Sequence, residues 1–281
     1  MAATALEEWR GRRECAVDHV TVPLVHRLAA TLDRDDPLPR TGDPLPAGWH
    51  GVLFPRVVRQ SQIGADGHPR RGDFVPPVAL PRRMNGGKRM RFHGELKVGD
   101  EVRRESVIES IEEKRARSGR MVVVTVRTDI HSPRGLAVTE EQDILYRDHP
   151  ASDAPRPPAR QPPGEGAWQR QWLPDPVMLF RYSAVTFNGH RIHYDEPYVT
   201  RAEGYPERIV NGGLSALLVF ELAREHLRAP IAAVVLRNVA PMFVNRKLTV
   251  HGRPAGDGSA AFWVTDHEGA LTLTADVSIA V

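Results

Sequence analysis

Hydrophobic and polar positions follow two periods along this chain. Over residues 23–32, Leu24, Leu28 and Leu32 recur every fourth position. That spacing predicts a helix with one apolar face, and Thr21 is placed to cap it. Residues 214–227 predict a second, stronger amphipathic helix. Its apolar positions are Leu214, Leu217, Leu218, Phe220, Leu222 and Leu227, with Gly212 and Gly213 just before it. Strand-like alternation marks residues 101–108, 120–127 and 136–146, then 247–252, 260–265 and 270–279. Short turns at residues 132–135 and 267–269 join these runs. The expected plan is a long helix followed by an antiparallel meander, twice over. A sheet wrapped around one central helix satisfies that α+β pattern.

Residues 149–166 separate the two halves. This segment is dense in proline and has no apolar pattern, which reads as an extended linker. The implied domains are 1–148, a linker over 149–166, and 167–281. The halves echo each other in order. Residues 29–33 resemble 184–188, aligning Asp33 with Asn188, and His50-Gly51 resembles Asn211-Gly212. Arg91 precedes Val98 as Arg237 precedes Val244, and Thr128-Asp129 resembles Thr265-Asp266. Four matches in one order are the signature of a duplicated domain.

Composition narrows the class. With 281 residues, 41% hydrophobic and 26% charged, the chain can bury a core without metal or disulfide staples. Its one cysteine, Cys15, fits a reducing cytosol. No apolar run approaches a membrane span, and the first residues carry acid where a signal peptide carries base. A cytoplasmic location is expected. Net charge is +3, and the basic residues do not gather with aromatics, so a nucleic-acid site is not indicated. A small anionic ligand is left open.

Residues 180–195 carry the candidate chemistry. Asn188 and His193 stand five residues apart after an apolar segment. Imidazole titrates near neutrality and is the natural proton carrier. The Asn188 amide can hold a water but cannot ionise. The N–H groups of Gly212 and Gly213, opening a helix, can receive a developing oxyanion. Five residues after Asp33 stands Leu38, which moves no proton, so one site per chain is expected. His190, His193 and Asp195 lack the spacing of a known zinc site, and no metal is expected.

The run from Phe187 to Asp195, Phe-Asn-Gly-His-Arg-Ile-His-Tyr-Asp, resembles the signature of the fused double-hotdog, MaoC-like dehydratases. That family includes mesaconyl-C4-CoA hydratases and type 2 hydroxyacyl-thioester dehydratases. Residues 73–84, Gly86-Gly87 and residues 139–147 also fit, so the resemblance spans nearly the whole chain. It implies two tandem hotdog halves, with the active site carried by the second. It also implies hydration of an enoyl thioester or dehydration of a 3-hydroxyacyl thioester, on a short, branched or dicarboxylic acyl group such as mesaconyl. CoA would enter as part of the substrate, with no separate cofactor. Broader MaoC-like hydratases carry aspartate where Asn188 stands. Close relatives usually read Val-His-Gly-Pro at residues 210–213 and tryptophan at Asn85.

Arg181, Arg237 and Arg91 are candidates for CoA phosphates or a substrate carboxylate, against the ordinary reading of solvated arginines. The expected assembly is a monomeric double hotdog or a homodimer. Two other functions compete: a hotdog thioesterase, which needs a carboxylate on the central helix to aim water where Glu221 and Glu225 stand too far along it, and a non-catalytic acyl-thioester-binding protein.

Overall fold

The structure, a computed structural model, describes residues 6–116, 119–148, 158–256 and 258–280. Residues 1–5 and the first part of the proline-dense segment, 149–157, lie outside the described residues; residues 158–166 form neither helix nor strand. The first half contributes β1 (Arg13–His19), α1 (Val22–Thr31), β2 (Arg82–Phe92), β3 (Glu101–Ala116), β4 (Gly119–Ser132) and β5 (Gly135–Arg147). The second contributes β6 (Trp168–Trp172), α2 (Pro176–Val185), α3 (Glu196–Arg201), α4 (Gly212–His226), β7 (Ile231–Asn238), β8 (Leu248–Gly256), β9 (Ser259–Thr265) and β10 (Leu271–Ile279). No helix among the described residues is long and apolar enough to cross a membrane.

The ten strands make one antiparallel sheet in the order β1-β3-β4-β5-β2-β7-β10-β9-β8-β6. Each half supplies five neighbouring strands, and the halves meet where β2 pairs with β7, from Gly87 opposite Arg237 to Arg91 opposite Ala233. The second order is the first reversed, as two copies related by an axis at that seam require. This is a double hotdog.

The strand ladders fix the register of the duplication. Crossing the first half from Cys15 leads to Glu105, Asp129, Thr139 and Arg91. Crossing the second from Gln169 leads to His251, Trp263, Thr274 and Arg237. Arg91 and Arg237 therefore correspond, as their sequence context predicts. α1 and α2 obey the same offset, and each is followed two residues on by a left-handed residue, Asp33 (φ 54°) and Phe187 (φ 52°). By that offset Asn188 corresponds to Arg34 rather than Asp33, and His193 to Pro39 rather than Leu38. Pro39 carries no proton either, so the first half still lacks the histidine.

Among the described residues, only the second half has a long central helix. From Leu214 to Ala223 every residue of α4 is buried, which suits a helix enclosed on all sides. Leu214, Leu218 and Leu222 are fully buried, each contributing about 1.5–3 kcal/mol. α1, expected to fill that place in the first half, is instead the counterpart of α2. Residues 53–81 contain five prolines, which cannot donate within a helix, and they form only a 3-10 turn at Gln60–Gln62. Phe74, Val75, Val78 and Leu80 from this segment pack on Ile108, Val122, Val124, Ile144 and Tyr146. An irregular strap thus covers the first half's sheet, and its middle part reaches the second half's chemistry.

Candidate active site

Asp175 caps α2 by accepting from the Met178 N–H at 2.7 Å, and Pro176 supplies a first helical residue that needs no donor. The helix ends through the left-handed Phe187, where the Asn188 N–H closes onto the Ser183 carbonyl at 2.8 Å. Asn188 Oδ1 then accepts from the His190 N–H at 2.9 Å. This local turn feeds the 3-10 helix Arg191–His193. With Oδ1 committed to the backbone, the Asn188 Nδ2 group remains to donate to a ligand.

His193 is 7% exposed, and its Nδ1 lies 2.8 Å from the Ile209 carbonyl oxygen. A carbonyl only accepts, so Nδ1 bears the proton and Nε2 is left as the basic nitrogen. Burial pushes the ring's pKa down to about 4, although the bond to Ile209 favours the cation. The ring is neutral at pH 7, the form a general base requires. The His190 ring meets it edge-on at 5.4 Å. Asp195 caps α3 and pairs with Arg191 (Nε to Oδ2, 2.9 Å), so its carboxylate is structural.

Asn211 precedes α4 but gives it no side-chain cap, leaving the first-turn N–H groups without an intrahelical partner. The two glycines differ. A Cβ on Gly213 would overlap the Tyr182 hydroxyl, whereas one on Gly212 would sit 3.5 Å from Asn85 Nδ2. Gly213 is therefore demanded by close approach and Gly212 by nothing steric. Asn211 is 1% exposed; its Nδ2 donates to Ser183 Oγ at 3.2 Å, and its Oδ1 has no protein partner among the described residues.

A cavity of about 860 Å³ brings Asn188, Asn211, Gly212 and Gly213 together. His193 is not on its wall; it sits in the turn that Asn188 begins. Arg181, Arg237 and Arg91 are all exposed and also stand outside the wall. The cations on the wall are Arg56, Arg70, Arg83 and Lys88, all from the first half. They escaped sequence reasoning because the strap that carries Arg56 and Arg70 has no periodic pattern, and because Arg83 and Lys88 lie on β2, whose many basic residues leave little apolar signal. One signal was available: the glycine pair at 86–87. An extra residue at Gly86 bulges β2, since Asn85 faces Ile144 and Gly87 faces Asp143. The bulge puts Lys88 on the same face as Arg83 and Asn85. Lys88 donates to Glu140 at 2.7 Å. Burial opposes the Glu140 charge, but Lys88 and His50 outweigh it and hold its pKa at about 2.

The strap reaches the Asn188–His193 turn through Asp66. Its carbonyl accepts from the Arg191 N–H at 2.9 Å, and the Ala65 carbonyl accepts from Arg191 Nη1 at 2.9 Å. A Cβ on Gly67 would overlap the Gly189 carbonyl, so the two backbones touch. His68 lines the cavity, holds Asp66 Oδ2 at 3.3 Å and lies 4.0 Å, centroid to centroid, from His190. Burial, then repulsion from His68 and His193, pushes the His190 pKa down to about 2. Asp66, His68 and His190 carry the donor set of a divalent-ion site, with ligand atoms within 4.8 Å of one another. Here the carboxylate is spent on His68 and the two rings pack together.

Residues 48–244, which hold the Asn188–His193 turn, the strap and α4, match the sequence profile of hydroxyacyl-thioester dehydratase type 2. The chain belongs to this family. Among curated relatives it is 43% identical to the mesaconyl-C4-CoA hydratase of Chloroflexus aurantiacus, over 96% of each chain. It is 25% identical to the mitochondrial hydroxyacyl-thioester dehydratase type 2 of Schizosaccharomyces pombe, over 73% of this chain and 77% of that one. HtdX of Mycobacterium tuberculosis superposes with a TM-score of 0.70 at 21% identity, covering 95% of this chain and 99% of that one. A MaoC-like dehydratase from Phytophthora capsici gives a TM-score of 0.70 at 14% identity, covering 100% and 99%. At such identities these structures support the double-hotdog fold alone.

Proposed function

We propose that this family member is a hydro-lyase that adds water to a dicarboxylic enoyl-CoA of the mesaconyl type, or removes it in reverse. The observation that carries this reading is the convergence of the Asn188 amide and the α4 N-terminus on one cavity, beside a histidine whose tautomer is fixed. In this reading His193 Nε2 takes a proton from water while Asn188 Nδ2 donates to the water oxygen. The freed lone pair attacks the β-carbon. Charge moves to the thioester oxygen, which the N–H groups of Gly212 and Gly213 receive; one such donor is worth about 3 kcal/mol in a transition state. The proton on His193 is then delivered to the α-carbon. Nothing in this sequence requires a cofactor beyond the CoA carried by the substrate. Exposed Phe180, Phe187 and Tyr194 rim the cavity and suit the CoA end. An exposed free Cys15 fits a cytosolic setting.

The thioesterase reading loses its carboxylates. Glu221 accepts from Trp49 Nε1 and Arg224 Nη2, both at 3.1 Å, and Glu225 pairs with Arg170. Neither lines the cavity. Mixing the protein with mesaconyl-CoA and crotonyl-CoA, and following enoyl absorbance and free thiol together, tests the proposal. Loss of absorbance without thiol is expected. Thiol release without hydration, or no turnover, would overturn it.

A further inference from the structure

Most cations around the cavity are already neutralised. Arg56 donates to Glu14 and Asp73, at 3.1 and 3.0 Å. Lys88 is held by Glu140. On the neighbouring backbone, Arg71 donates to the Val78, Leu80 and Pro81 carbonyls, Arg82 engages Glu203 and Tyr205, and Arg89 engages Glu141 and Asp143. Arg83 is the exception: it is half-buried on the cavity wall, and its guanidinium has no hydrogen-bond or ion-pair partner among the described residues. Arg70 also lacks a side-chain partner among the described residues, but it is exposed. Leaving a guanidinium half out of water without an anion is unfavourable, so Arg83 is poised for one that arrives with a ligand.

Its position says which anion. Arg83 shares a strand face with Asn85, which lies against Gly212 at the start of α4. Its charge is felt by the His68 and His190 rings, lowering the proton affinity of both. Arg83 is therefore at the reacting end of the cavity. CoA phosphates are separated from the thioester by the length of the pantetheine arm and belong at the rim. In a mesaconyl group joined through C4, by contrast, the free carboxylate and a methyl group sit on the β-carbon, the atom water attacks. A guanidinium matches a carboxylate with two parallel N–H donors.

We propose that Arg83 is the specificity-determining residue that receives the free carboxylate of a dicarboxylic acyl group. The assignment rests on the hydro-lyase reading for its substrate, but it can be judged without turnover. Binding of the saturated pair succinyl-CoA and butyryl-CoA, which cannot be hydrated, is measured by calorimetry. Wild-type protein is expected to bind succinyl-CoA roughly 10- to 100-fold more tightly, as a charge-assisted pair supplies. In Arg83→Gln the gap closes, and in Arg83→Lys part of it remains. In turnover, Arg83→Gln lowers the mesaconyl-to-crotonyl ratio of kcat/KM by a similar factor. The proposal fails if wild-type protein shows no preference for succinyl-CoA, or if Arg83→Gln keeps that preference. It also fails if Arg83→Gln weakens succinyl-CoA, butyryl-CoA and free CoA equally, which would place a CoA phosphate at Arg83. A wild-type enzyme that hydrates neither enoyl-CoA sinks the hydro-lyase reading alone, because the binding comparison still decides the role of Arg83.

Discussion

Two buried neutral histidines should make this protein sensitive to mild acid. His190 is 8% exposed and His193 7%, and burial lowers their pKa values to about 2 and about 4. In the unfolded chain each titrates near 6.5. Below that pH the unfolded state binds protons that the native state refuses, so stability falls as pH falls. The contribution is complete above about 6.5 and is lost until the folded rings themselves protonate. Between pH 7 and 5 each ring should cost about 2 kcal/mol, together about 4 kcal/mol, with about two protons taken up on unfolding. The His68 and His251 pKa values are also lowered by burial, and both groups add in the same direction. Glu140, whose pKa is held low, contributes stability that is lost only below the ordinary carboxylate range, near 4.3. The pH window chosen therefore isolates the imidazoles. Urea unfolding followed by tryptophan fluorescence at pH 7, 6 and 5 measures the slope, and His190→Gln should remove a large part of it. Equal stability at pH 7 and 5, or an unchanged slope in the variant, would refute the reasoning.

Three further outcomes follow from the site. His193→Ala should lower kcat by about 10²–10⁴-fold while far-ultraviolet circular dichroism stays native; near-normal turnover would remove His193 from the chemistry. Asn188→Asp keeps an acceptor for the His190 N–H and should stay closer to wild-type kcat than Asn188→Leu, which strands that donor; the reverse order would show that the turn does not depend on Oδ1. Gly213→Ala should cost about 1–3 kcal/mol by overpacking against Tyr182, while Gly212→Ala costs less. Adding Tyr182→Phe, which deletes the obstructing hydroxyl, should return part of the melting temperature lost in Gly213→Ala, and calorimetry reads all three.

Regular periodicity carried the reading of the sequence as far as periodicity goes. The meander strands and α4 announce themselves by alternation and by the leucine face, and the order of the repeat matches led to the duplication. Short strands β1 and β6 were missed because few residues define them. β2 was missed because Arg82, Arg83, Lys88, Arg89 and Arg91 leave it little apolar signal, although pairing on both edges makes it the centre of the sheet. The repeat alignment slipped by one residue at Asp33 because side-chain likeness, Asp to Asn, favoured a match that backbone conformation does not. Asn188, Gly212 and Gly213 could be picked out as candidates because the chemistry they offer is local. His68 and Asp66 were not, because a proline-rich strap delivers them from more than a hundred residues away, and Arg83 was not, because it lies on the overlooked β2.

That strap divides labour inside one duplicated chain. In the proposed reading the second half holds water and oxyanion, while the first half supplies the arginine and lysine side chains on the cavity wall among the described residues. Selection for a new acyl group can then act on residues 53–88 without touching the atoms that break bonds. A chimera joining the first half of one family member to the second half of another should inherit its substrate preference from the former and its pH–rate profile from the latter.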